Sequence, residues 1–126
     1  MILVDTSVWI EFLGVNETVF SRMRQILEKS EVVAVEWIFG ELLQGARDRR
    51  ERRIILGYWE NLPKIAPDGI WVEAGILSRE QNFTSKGVGL IDVAILVSAR
   101  RANAAVWTLD KKFKSICGKD EIFSTH

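Results

Sequence analysis

Four carboxylates in this 126-residue chain stand where a charge is out of place. Asp5 ends the apolar run Met1-Ile2-Leu3-Val4. Glu41 sits within Ile38-Phe39-Gly40-Glu41-Leu42-Leu43, and Asp92 interrupts Leu90-Ile91-Asp92-Val93-Ala94-Ile95-Leu96-Val97. Asp110 follows two residues after the strand-like Ala104-Ala105-Val106-Trp107-Thr108. An ionised carboxylate in apolar surroundings is costly unless cations, donors or a metal offset it. Few basic residues accompany these acids in sequence; only Lys111 and Lys112 adjoin one of them. A set of oxygen donors without Cys or His suits a hard cation, Mg²⁺ or Mn²⁺. The chemistry such a set supports is metal-assisted hydrolysis of a phosphodiester, with one ion or two.

Each acid also has a simpler role. Asp92 near a helix start is favoured by the helix dipole and free amides. Asp110 in Thr-Leu-Asp-Lys-Lys suits a turn, and Glu41 suits a solvated helix face. Asp5 is hardest to explain away, because the end of a buried strand offers little solvent. Glu36 is set apart: it precedes Glu41 by five residues, about 140° around a helix, and reads as a helix-start residue.

The elements that must position these acids alternate in type. Ile2-Leu3-Val4 and Val32-Val33-Ala34-Val35 read as strands buried on both faces, and residues 104–108 as a third. Lys64-Ile65-Ala66 and Ile122-Phe123 are weaker, the latter an edge strand. Trp9, Ile10 and Leu13 mark a short helix ending at Gly14. Asn16 caps a helix with Val19, Phe20, Met23, Ile26 and Leu27 inward. A helix through Ile38 and Leu43 closes at Gly45, and a charged one runs from Arg47 to Asn61. Asp68 is the expected cap of a helix with Ile70, Trp71, Ala74 and Leu77 inward. Residues 90–102 form a helix that is apolar nearly all round, hence internal. Strands alternating with helices predict one three-layer α/β domain with a parallel sheet of four to five strands. In such a sheet, the carboxyl ends of strands and the starts of the following helices share the edge where ligands bind. Asp5, Asp92 and Asp110 belong to that edge, and Glu41 reaches it.

Composition bounds the alternatives. Hydrophobic residues make up 48% and charged residues 27%, and 17 basic residues balance 17 acidic ones. Net charge therefore does not announce a nucleic-acid partner, and any such contact must be local. The lone Cys117 excludes an internal disulfide and a multi-cysteine zinc site. No signal-peptide pattern or membrane-length apolar run occurs, so a cytoplasmic domain with no membrane partner is expected. The single histidine, His126, is the last residue, which disfavours His-based catalysis. There is no phosphate-binding G-x-x-x-x-G-K-[ST] loop. Gly87-Val88-Gly89-Leu90-Ile91-Asp92 departs from a dinucleotide fingerprint at Asp92, where an acid would repel a pyrophosphate.

Four segments together carry a family resemblance. Ile2-Leu3-Val4-Asp5-Thr6-Ser7-Val8-Trp9, Gly40-Glu41-Leu42-Leu43-Gln44-Gly45-Ala46, Gly89-Leu90-Ile91-Asp92-Val93-Ala94-Ile95 and Thr108-Leu109-Asp110-Lys111-Lys112-Phe113 resemble the PIN-domain family. Within it, they are similar to the toxin ribonucleases of VapBC toxin–antitoxin pairs, in order and spacing. The resemblance implies an endoribonuclease that uses Mg²⁺ or Mn²⁺ and acts on RNA. Asp5, Glu41, Asp92 and Asp110 would be its metal-site acids, Asp5 and Asp92 foremost, with Thr6, Ser7 and Thr108 as polar supports. It also implies a cognate antitoxin and a homodimer. One departure stands out: many relatives carry a second Asp where this chain has Lys112, which favours one ion over two.

Candidate RNA contacts are Arg47, Arg49, Arg50, Arg52 and Arg53, with Lys111 and Lys112 as a second set; the arginines equally suit a solvated helix face. Trp9, Trp37, Trp59, Trp71 and Trp107 suit core or interface packing better than base stacking. Two alternatives remain beside the nuclease. One is a catalytically silent PIN scaffold that binds RNA or protein. The other is a phosphoacceptor receiver domain, disfavoured because the late strand ends in Thr108 and Asp110 rather than in lysine.

Overall fold

A computed structural model describes residues 1–124; His126 lies outside the described residues. The chain folds as β1 (Ile2–Val4), α1 (Thr6–Leu13), α2 (Glu17–Glu28), β2 (Val32–Val33), α3 (Glu36–Gln44), α4 (Arg49–Asn61), α5 (Ile70–Gln81), α6 (Leu90–Arg101), β3 (Ala105–Trp107) and α7 (Lys111–Ile116). The strands are parallel in the order β2-β1-β3, so β1 is central. Ile2, Leu3 and Val4 are all buried, as the unbroken apolar run requires of a strand covered on both faces.

The sheet is smaller than the sequence predicts. Among the described residues it has three strands rather than four or five. The segments at Lys64 and Ile122 contribute only single parallel bridges, Ala34 to Lys64 and Val106 to Ile122. Pro63 and Pro67 bracket the first of these. Proline lacks an N–H and cannot extend a ladder, which limits pairing there to one residue.

The helices follow from their caps and faces. Asn16 accepts a hydrogen bond from the Thr18 N–H, and Asp48 from the Glu51 N–H, fixing the starts of α2 and α4. The expected cap Asp68 does not serve α5. The residue before that helix is Gly69, whose φ of 74° makes the turn through the backbone. Helix α6 is buried without a break from Val93 to Ala99, and the Ser98 hydroxyl is satisfied by donating to the Ala94 carbonyl at 2.7 Å. Two residues expected inside face outward. Trp71 is 39% exposed and packs its ring on Trp37 at 4.8 Å between centroids. Ile10 is 56% exposed, because Val8, Trp9 and Phe12 form the inward face of α1.

Burial pushes the Cys117 thiol up to about 11, so it is not a nucleophile at neutral pH. No helix among the described residues is long and apolar enough to cross a membrane.

Trp9 ties the layers together: its ring meets Phe39 at 5.3 Å, Tyr58 at 5.2 Å and Phe12 at 5.9 Å. Truncation to Trp9→Ala is expected to cost about 3–5 kcal/mol in urea unfolding. A loss below about 1 kcal/mol would mean that α1 is not anchored through this ring.

Candidate active site

The carboxyl end of β1 delivers Asp5 to the position just before α1, where an aspartate ordinarily caps a helix. Asp5 makes no such cap. Its Oδ2 instead accepts hydrogen bonds from the Thr108 hydroxyl at 2.7 Å and the Ser7 hydroxyl at 2.9 Å. Its backbone N–H donates to the Trp107 carbonyl at 2.9 Å, continuing the β1–β3 register past Val4. The side chain is only 6% exposed, and its partners are neutral hydroxyls rather than cations.

The hydroxyls are themselves fixed. Ser7 Oγ accepts from the Leu109 N–H at 3.0 Å, and Thr108 Oγ1 accepts from the Asp110 N–H at 3.0 Å. The loop after β3 is thus held to the start of α1 through the same atoms that hold Asp5. Thr6 is used differently: its hydroxyl donates to Glu41 Oε1 at 3.0 Å, drawing α3 toward the strand ends. Asp110 caps α7, its Oδ1 accepting from the N–H groups of Lys112 at 2.8 Å and Phe113 at 3.3 Å. Asp92 lies in the first turn of α6, behind Gly89.

These elements bring together the four acids that sequence spacing singled out. Asp5, Glu41, Asp92 and Asp110 line one open cleft with Thr6 and Ser7, while Thr108 braces it from beneath. None of the four makes an ion pair among the described residues. The Asp92 carboxyl is pushed up to about 6. Desolvation is the largest cause, followed by Asp5, Asp110 and Glu41.

The donors suit a hard divalent cation in kind: all are oxygen, and none is engaged in an ion pair among the described residues. They do not form a finished cage, since among the described residues no group of three or more Asp, Glu, His or Cys is arranged to hold a metal as it stands. Glu41 and Asp110 are exposed side chains at the rim, whereas Asp5 is fixed by its hydroxyls.

Two cleft residues escaped sequence reasoning. Ile10 and Ile91 line the cleft with apolar side chains that are 56% and 45% exposed. Helical phase alone assigned Ile10 to the core. The signal that could have found both is closeness in sequence to an edge-forming acid, Ile91 directly before Asp92 and Ile10 five residues after Asp5. The predicted basic contacts separate. Arg47 is bound to Glu51 at 2.9 and 2.7 Å. Arg49, Arg50, Arg52 and Arg53 are exposed on α4, and Lys111 and Lys112 are exposed beside Asp110.

Comparison with known proteins identifies relatives of the chain and of its fold. Ribonuclease VapC32 of Mycobacterium tuberculosis is 30% identical over 126 residues, covering 97% of this chain and 94% of that protein. Three solved structures share the fold. A toxin–antitoxin complex from Klebsiella pneumoniae superimposes with TM-score 0.74 at 18% identity, over 98% of this chain and 97% of that one. VapBC2 from Rickettsia felis, bound to a DNA fragment from its promoter, gives 0.67 at 19%, over 92% and 93%. FitAcB from Neisseria gonorrhoeae gives 0.57 at 17%, over 90% of each chain. The family model for the PIN domain matches residues 2–119, nearly the whole of the cleft-bearing fold, and the chain belongs to the PIN-domain family.

Proposed function

We propose that the protein is a divalent-metal-dependent endoribonuclease and the toxin of a toxin–antitoxin pair. The observation that carries this reading is the cleft at the carboxyl edge of the sheet, where four acids meet without an ion pair. Asp5 and Asp92 would hold Mg²⁺ or Mn²⁺, with Glu41 and Asp110 closing from the rim. A bound ion supplies Lewis acidity to the phosphodiester and acidifies the attacking water. The protein's part is positioning. Ser7 and Thr108 orient Asp5 through Oδ2, and Thr6 orients Glu41.

An antitoxin partner is supported by the toxin–antitoxin complexes among the similar structures. A groove also leaves the acid cleft at Ile10 and Glu41 and passes Leu13, Arg47 and Glu51. It opens onto a mixed hollow in which Phe20, Ile54 and Tyr58 stand beside Arg24, Asp48 and Arg50. A homodimer would cover the exposed Trp71, Val72 and Ile76 of α5. A silent scaffold is the competing reading, and the unfinished metal cage favours it.

Cleavage of single-stranded RNA in Mg²⁺ or Mn²⁺ separates the two. Asp5→Asn and Asp92→Asn should each lower the rate by a factor of 100 or more, on the order of a lost electrostatic element, and chelation should abolish it. Activity surviving both substitutions and chelation would overturn the assignment. Calorimetric titration with Mn²⁺ should show uptake by the wild type; a folded protein that takes up no ion supports the scaffold.

The pH dependence of stability tests the charge crowding separately. Asp92 has a folded-state value raised from 3.8 to about 6, so folding favours its protonated form. Its contribution to stability is full below about pH 4 and is lost as pH rises through about 6. Metal-free Asp92→Asn should therefore melt above the wild type at about pH 7.5, with the gap closing below about pH 4. Equal melting temperatures at both pH values would show that neither burial nor the neighbouring acids raises the Asp92 carboxyl.

A further inference from the structure

The wall of the cleft formed by the segments around residues 87–89 and 108–112 carries one cation in an unusual setting. Lys112 lies in the first turn of α7, two residues past the cleft-lining Asp110, whose Oδ1 accepts from the Lys112 N–H. Its side chain is laid across Gly87, in the loop that leads through Gly89 to Asp92. A methyl group at Gly87 would stand 3.3 Å from both Lys112 Cδ and Nζ and 3.6 Å from Cε. Gly87 has φ 74°, so two demands meet there: a left-handed backbone, and clearance for the lysine. Lys112 is exposed and makes no ion pair among the described residues. Next to Asp92 and Asp110 in sequence, Leu90, Ile91 and Leu109 present apolar side chains that are 46%, 45% and 43% exposed.

The opposite exit of the cleft has a different character. There Glu11 and Glu51 line the groove, and Arg47 is occupied by Glu51. A phosphodiester leaving by that side meets carboxylates. On the side of Asp110 it meets the exposed Lys111 and Lys112, neither in an ion pair among the described residues, of which Lys112 is the one laid over Gly87. We infer that single-stranded RNA runs over the Lys112 side of the cleft, and that Lys112, given room by Gly87, is a positioning residue that holds a phosphate adjacent to the scissile one. The inference rests on the ribonuclease reading, and it makes Lys112 a substrate contact rather than an idle surface lysine or a stand-in for a second metal ion.

The test uses the full chain and a 5′-labelled, mixed-sequence single-stranded RNA of about 20 nucleotides. Binding is followed by anisotropy in Mg²⁺, on an Asp92→Asn background to suppress cleavage, as salt is varied. Lys112→Met should weaken binding roughly tenfold, the worth of one charge-assisted contact, and reduce the salt slope by about one. Lys112→Arg should restore both. With Asp92 intact, Lys112→Met should raise KM more than it lowers kcat. Gly87→Ala should mimic Lys112→Met, and a melting curve reports whether it folds. Mn²⁺ uptake should be the same in wild type and Lys112→Met.

Unchanged RNA affinity and salt slope in Lys112→Met overturns the inference while leaving the nuclease reading intact. A second Mn²⁺ taken up by Lys112→Met also overturns it, in favour of a metal substitute. A wild type that neither binds nor cleaves RNA overturns both.

Discussion

The contact on which the rest of the site depends is the one between Asp5 and the end of β3. A carboxylate on the central strand is held by two hydroxyls, from Thr108 and Ser7, and by no cation. Hydroxyls fix its orientation without cancelling its charge. An arginine in their place would have solved the burial problem and removed the affinity for an ion. Because Ser7 and Thr108 also accept the Leu109 and Asp110 amides, one small network sets the position of Asp5, the loop after β3 and the approach to α7.

The same economy appears around the cleft. Asp110 spends one oxygen on capping α7, while Glu41 is steadied by Thr6 alone. Asp92 has no comparable anchor and carries the electrostatic consequence, a carboxyl that resists ionisation. The fold thus gathers negative charge at one edge and leaves it unneutralised, a stability cost that only a bound cation or proton removes.

Much of this was legible in the residues. Three apolar runs, the first two followed by helical phase, pointed to the parallel sheet, and the edge rule then collected four distant acids into one cleft without any contact information. What was not legible depended on tertiary geometry. Strand-like composition at Lys64-Ile65-Ala66 and Ile122-Phe123 could not reveal that each pairs through a single bridge. Helical phase placed Ile10 inside, but Trp9 is large enough to take the core side of α1 and turn Ile10 to the cleft. Asp68 resembled a cap, yet Gly69 made that turn through its backbone. The proximity of Lys112 to Gly87 has no sequence signature, since the two are 25 positions apart and belong to different elements.

The bond from Thr108 to Asp5 spans 103 residues. In terms of chain growth, the central strand is made about a hundred residues before its partner β3. A chain emerging from its amino end holds β1 and Asp5 long before the hydroxyl that orients the carboxylate exists. Long-range parallel pairing of this kind is paid in loop entropy before it is rewarded. The acid cleft therefore cannot be assembled until the chain has been made past Asp110, and before that point Asp5, Glu41 and Asp92 are present without the site.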